Sequence, residues 1–191
     1  MNLTRQNRRQ ILRLGLGAVA TAVVHSGDAA FAETRKLPRD HGESTMSIVP
    51  YKTSERPGTI IISNKERVLW RVLGQGKAEQ YRVSIGRPGF EWTGTTVVQR
   101  KAEWPAWRPP SDMRKRDPSL PDYVPPGPYN PLGARALYLY ANGRDTLYRI
   151  HGTNSSGSIG SYETSGCFRL TNKDVMDLYR KVGNGTKVIV Y

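Results

Sequence analysis

Beyond residue 41 the chain holds one histidine and one cysteine, His151 and Cys167, sixteen positions apart across a segment rich in Gly and Ser. A thiol and an imidazole are the two groups that nucleophilic acyl transfer requires: the sulfur attacks and the ring takes its proton. Ser165 and Gly166 precede the sulfur. Backbone N–H groups there can form an oxyanion hole, in which one donor contributes about 3–4 kcal/mol. A helix start soon after the cysteine would favour the thiolate, so a catalytic Cys167 is expected to have a lowered pKa and to react with iodoacetamide below about pH 7. Gly152 follows His151 and leaves room for a substrate. Arg169 either forms an ion pair or neutralises a substrate carboxylate, which its guanidinium can grip with two hydrogen bonds. A single cysteine excludes an intramolecular disulfide, and it can also be an intermolecular partner or a small buried hydrophobe. One Cys and one His are too few ligands for zinc.

The elements that must position this pair are mostly strands. Thr59–Ser63 and Val68–Leu73 flank a turn at Asn64–Arg67 and predict a hairpin. Residues 80–85 alternate polar and apolar, as a half-buried strand does. Further strands are expected at 95–99, 136–140, 146–150 and 186–191, that at 146–150 ending just before His151. One helix is expected after the cysteine. Thr171 caps it, with Asp174 three residues on, and Val175, Leu178, Tyr179 and Val182 form one buried face before Gly183 stops it. Residues 103–133 hold nine of the thirteen prolines together with Trp104, Trp107, Tyr123 and Tyr129. Neither helical nor strand periodicity is expected at that proline density, and the aromatics favour a packed lid over disorder.

The N-terminus has the composition of an export signal. Arg5, Arg8, Arg9 and Arg13 precede an apolar run, Leu14–Val24, and Ala30-Phe31-Ala32 fits a cleavage site. The Arg8-Arg9 pair resembles a twin-arginine signal, with an ordinary Sec signal as the alternative. Residues 1–32 are therefore expected to be a signal peptide, 33–57 a polar linker or loose arm, and 58–191 the domain. The mature 159 residues carry 25 basic against 15 acidic side chains, with no run apolar enough to span a membrane. In an exported protein such charge suits an anionic wall polymer or membrane surface rather than nucleic acid, or serves solubility alone.

His151-Gly-Thr-Asn followed by Ser-Gly-Cys167-Phe-Arg169-Leu resembles the signature of the L,D-transpeptidase catalytic domain, the YkuD-type family. Val83–Gly89, Thr93–Thr95, Trp107–Pro110 and Gly127–Gly133 resemble segments of its periplasmic Gram-negative branch. Two positions depart from the pattern. Ser165 stands where the family often has a second histidine, leaving His151 as the candidate base. Trp92 opens a turn that in the family begins with proline, which bears on the local turn geometry. The resemblance implies a mostly β, β-rich α+β fold: a mixed-sheet sandwich with one main helix after the cysteine and residues 103–133 as a lid. It implies Cys167 as nucleophile and His151 as base, with a carbonyl near Gly152 orienting the ring. Gly152, Ser165, Gly166, Arg169 and Asn130 would serve the oxyanion and the substrate path. No cofactor and no metal are implied. The implied partners are peptidoglycan stem peptides, with a second stem, a lipoprotein or an outer-membrane protein as acyl acceptor, in the periplasm. Water as acceptor would make the same scaffold an L,D-carboxypeptidase or amidase. A non-catalytic wall-binding protein remains the alternative of a different class.

Overall fold

The computed structural model describes residues 42–191. The expected signal peptide and the first part of the arm, residues 33–41, lie outside the described residues. In chain order the elements are β1 (Ser47–Pro50), β2 (Ile60–Ser63), β3 (Val68–Gly74), β4 (Lys77–Arg82), β5 (Ile85–Gly86), β6 (Gly94–Glu103), α1 (Ser111–Arg116), β7 (Arg135–Ala141), β8 (Arg144–His151), β9 (Tyr162–Thr164), β10 (Phe168–Arg169), α2 (Asn172–Lys181) and β11 (Lys187–Val190). Nine strands form one sheet in the order β1-β4-β3-β2-β11-β6-β7-β8-β10, and β5 pairs with β9 separately. β11 runs parallel to β2 and β10 parallel to β8, while the other pairs within the large sheet are antiparallel.

Local chemistry accounts for the turns. The β7–β8 hairpin closes on Asn142-Gly143, both at positive φ (51° and 74°), as a two-residue turn matched to strand twist requires. Thr171 caps α2, its side chain accepting a hydrogen bond from the Asp174 N–H at 3.0 Å. Ile60 and Ile62 of β2 pack in the main core while Ile61 joins a second cluster with Trp70, Val72 and Ala78, so this strand is apolar on both faces. The main core takes residues from both halves of the sheet, Leu69 and Tyr81 on one side and Leu137, Leu139 and Ile150 on the other, with Val175 and Leu178 of α2. Strands distant in the sheet order thus close on one interior, and the mixed-sheet, mostly β expectation holds.

Two expectations need correction. The arm is bound to the domain from residue 44 onward rather than loose. β1 forms the edge of the sheet and pairs with β4, from Ser47 opposite Gln80 to Pro50 opposite Lys77. Upstream of it, Asp174, fully buried, accepts from the Ser44 hydroxyl (2.6 Å), the Thr45 N–H (3.0 Å) and the Thr45 hydroxyl (2.8 Å). The polar composition that suggested a linker is what satisfies this carboxylate. The proline-rich segment also contains regular structure. α1 fits the gap between Pro110, which precedes its first residue, and Pro118, and its exposed residues show no apolar periodicity. Trp107 and Val124 exchange backbone hydrogen bonds at 2.9 and 2.8 Å, tying the two arms of the segment together. Among the described residues no helix is long and apolar enough to cross a membrane.

Removing the Asp174 carboxylate strands three donors at once. Asp174→Ala is expected to destabilise the full chain by about 2–3 kcal/mol, seen as a lower urea midpoint with an unchanged slope.

Candidate active site

His151 is the last residue of β8 and lies between two neighbouring strands, opposite Ala136 on β7 and Arg169 on β10. The parallel register sets Phe168 beside Ile150 and Arg169 beside His151, which places Cys167 alongside Arg149. Phe168 and Ile150 point into the core. By strand alternation Cys167 and His151 therefore share the opposite face, their Cα atoms roughly 8 Å apart as one strand spacing and two residue rises require. The register thus sets the thiol and the imidazole on one face of neighbouring strands.

The ring is set by its own backbone. His151 Nδ1 lies 2.6 Å from the Gly152 carbonyl oxygen, which can only accept. Nδ1 therefore carries the hydrogen and Nε2 keeps a lone pair for a proton. His151 is buried, 7% exposed. Burial lowers its pKa to about 4; the Gly152 hydrogen bond works against this, and the charges of Arg169 and Arg149 add to it. The imidazole is therefore neutral at neutral pH.

Cys167 is half-buried. Burial pushes its thiol up, opposed by the Arg149 backbone N–H and the Arg149 charge, and reinforced by Asp145. This reverses the expectation of a lowered thiol pKa. The start of α2 lies beyond β10, four residues from the sulfur, and Thr171 and Asp174 occupy its first turn, so it does not supply the thiolate with a partner. The Leu147 carbonyl lies 3.9 Å from Sγ. Leu147 itself has φ +63°, a strained value for this side chain, at the place where the β7–β8 register shifts. The resting pair is thus a neutral thiol beside a neutral imidazole.

The turn before the sulfur is closed by Thr164. Its hydroxyl donates to the Cys167 carbonyl (2.6 Å) and accepts from the Gly166 N–H (3.2 Å). The Gly166 amide is therefore occupied and does not serve an oxyanion, contrary to expectation. The Cys167 N–H has no partner among the described residues, and Ser165 is half-buried beside it. Gly166 has φ +107°, and a Cβ there would fall 2.4 Å from the Tyr148 ring, so only glycine fits. The Gly166 carbonyl accepts from the Trp92 indole N–H at 3.0 Å.

Three other predicted residues serve the architecture. Gly152 makes room for Asn172 rather than for a substrate: a Cβ at Gly152 would lie 2.2 Å from Asn172 Oδ1. Asn130 is buried, donating to the Val124 and Pro125 carbonyls and accepting from the Leu132 N–H, so its amide is consumed within the lid. Arg169 adopts the ion-pair alternative, with Glu163 at 2.6 Å and the Ser158 hydroxyl at 2.8 Å. Its Nε is buried without a partner among the described residues.

Sequence reasoning missed Asn172. Its Oδ1 accepts from the Ala134 N–H (2.8 Å) and the Thr153 N–H (3.1 Å), and its Nδ2 donates to the Thr153 carbonyl (2.7 Å). A polar residue just inside a helix cap carried a signal only in being an amide on a first turn that the apolar face does not use. Ser84 was missed too. Fully buried, its backbone exchanges hydrogen bonds with Arg169 and its hydroxyl holds Ser158 and Gly160. The proline-rich segment contacts residues on both sides of the pair. The Tyr129 carbonyl accepts from Asn154, three residues past His151, and Arg116 of α1 stacks on Phe90, whose carbonyl abuts Gly166.

The sequence profile of the L,D-transpeptidase catalytic domain, YkuD, matches residues 57–190. A relative in Fuscovulum blasticum, provisionally named as an L,D-transpeptidase in the ATP synthase subunits region, is 40% identical over 96% of this chain and 97% of its own. The Escherichia coli "Probable L,D-transpeptidase ErfK/SrfK" is 38% identical over 80% of this chain, which spans about half (50%) of that relative's length. A Brucella melitensis structure titled a probable carnitine operon oxidoreductase is 39% identical, covering 80% of this chain and 99% of its own, with a TM-score of 0.53. An L,D-transpeptidase from Mycobacterium smegmatis, 19% identical over 70% of this chain and 58% of its own, shares the fold with a TM-score of 0.54.

Because His151 is protonated more readily unfolded than folded, stability is full above its ordinary value near 6.5 and falls as pH drops from there to about 4. The slope contributed by this one group is at most about 1.4 kcal/mol per pH unit. Urea titrations across that range will show it, and His151→Phe is expected to remove it. The raised thiol gives a second expectation: iodoacetamide alkylation of the free enzyme keeps accelerating as pH rises through the ordinary thiol range near 8.5, with no plateau below pH 7.

Proposed function

Since the chain belongs to the L,D-transpeptidase catalytic domain family, we propose that it is an L,D-transpeptidase acting on peptidoglycan stem peptides through a thioester on Cys167. The observation that carries this reading is the shared face of Cys167 and His151, with His151 held by Gly152 so that Nε2 is free.

The thiol proton passes to Nε2 as sulfur attacks the carbonyl carbon between the third stem residue and terminal D-alanine. The carbon–oxygen π pair moves onto oxygen, where the Cys167 N–H donates to it. Collapse breaks the carbon–nitrogen bond, and D-alanine leaves with the proton from Nε2. An amine then attacks the thioester, His151 takes its proton, and sulfur leaves and is reprotonated. The acceptor is a second stem, giving a 3–3 cross-link, or the amine of a protein that becomes linked to the wall. The lid, joined to Asn154 and Phe90, keeps water from competing. Arg169 works indirectly, stiffening the crossover through Ser158 and Glu163. The basic balance and the N-terminal export pattern suit a periplasmic enzyme at an anionic wall.

Mass spectrometry after incubation with imipenem or a tetrapeptide stem tests the chemistry. The wild-type chain is expected to gain one covalent adduct and Cys167→Ala none; an adduct on the variant would remove Cys167 as nucleophile. His151→Ala is expected to slow acylation at neutral pH by at least about a hundredfold. New 3–3 cross-linked or protein-linked muropeptides in cells carrying the gene support transfer, and bare tripeptides alone would show hydrolysis instead.

A further inference from the structure

We propose that Trp92 is a positioning residue that aims and strengthens the oxyanion donor, acting through the peptide unit joining Gly166 to Cys167. This rests on the reading that Cys167 is acylated through a tetrahedral oxyanion. The carbonyl of Gly166 and the N–H of Cys167 are opposite ends of one planar trans peptide, so fixing one direction fixes the other. The Trp92 indole N–H donates to that carbonyl at 3.0 Å. Of the polar backbone groups in this turn, Thr164 binds the Gly166 N–H and the Cys167 carbonyl, and Trp92 binds the Gly166 carbonyl. The Cys167 N–H is left without a partner among the described residues. A donor kept open beside a nucleophile, while its neighbours are satisfied, is a donor held for a ligand. A hydrogen bond accepted at the carbonyl end also polarises the amide and makes its N–H a better donor.

The indole is itself held firmly. It stacks on Tyr148 with centroids 4.6 Å apart and an interplanar angle of 15°, and it packs on Phe168 at 5.6 Å. The Trp92 carbonyl accepts from Asn64 Nδ2 at 2.9 Å. Behind it, the Phe90 carbonyl is wedged against Gly86 and Gly166, where a Cβ would meet it at 2.5 and 3.1 Å. A proline at position 92, as in the resembling sequences, has no donor to offer.

Two reactions of the same sulfur separate this role from a merely structural one. Acylation by imipenem develops an oxyanion; alkylation by iodoacetamide needs the same thiolate and access but develops none. In the full-length chain Trp92→Phe keeps an aromatic ring and removes the donor. Replacing Trp92 by benzothienylalanine keeps the bicyclic shape and removes only the N–H. Both are expected to slow acylation about tenfold while alkylation stays within about twofold of wild type. If acylation by the benzothienyl variant matches wild type, or if both reactions slow together, the proposal is overturned. If Trp92→Phe fails to fold, the isostere decides alone. Absence of acylation in the wild-type chain would instead overturn the proposed function.

Discussion

The site depends on a two-residue parallel pairing, Phe168 and Arg169 of β10 against Ile150 and His151 of β8. Parallel neighbours need a crossover, usually a helix packed on the sheet. Here the crossover is residues 152–167, with only a short 3-10 turn at Ser156–Ser158 and the three residues of β9. Two strand residues cannot hold such a loop by ladder bonds alone. The loop is instead held from outside: β9 pairs with β5, Ser84 holds Ser158 and Gly160, and Asn172 holds Thr153. Every one of these contacts fixes the offset between sulfur and ring.

That dependence explains the glycines around the site better than substrate access does. Gly133 and Gly152 both sit where a Cβ would come within 2.3 Å of Asn172 Oδ1. A single buried amide thus draws two backbone segments onto the first turn of α2, and one of those segments orients His151. The helix is tied in turn to residues 44 and 45 through Asp174. Ser44 and Thr45 bind Asp174, and Asn172, two residues earlier on the same first turn, binds Ala134 and Thr153, next to the Gly152 that holds the His151 ring. Residues 44 and 45, outside the region matched by the family profile, are thus tied to the first turn of the helix that also carries Asn172.

The strands and the capped helix were readable in the sequence because each rests on a local signal, alternation or a cap with its apolar face, and the candidate pair stood out as two scarce residue types. The surroundings of Gly152 and Gly166 were not readable because they are set by residues distant in the chain, whereas Asn130 is held by its near neighbours Val124, Pro125 and Leu132 in a turn without a regular pattern. Asn172 approaches Gly152 from twenty positions away, and Trp92 approaches Gly166 from seventy-four. The strand at residues 47–50 was missed because its exposed edge carries little apolar pattern. Trp92 was visible only as a departure from a family turn, and its partner could not be found without the fold.

The protonation state of the resting pair has a mechanistic consequence. One cause, burial, moves the two groups in opposite directions, lowering the imidazole and raising the thiol. Both shifts disfavour a thiolate–imidazolium pair before substrate arrives, since two charges would then stand in a poorly solvated site. In the proposed mechanism, proton transfer becomes favourable when the carbon–sulfur bond forms with it and the negative charge moves from sulfur to the substrate oxygen. There it meets the Cys167 N–H, a donor with no other partner among the described residues. In that mechanism charge is stabilised on the oxygen rather than on the free sulfur. A neutral thiol is also the less oxidisable form.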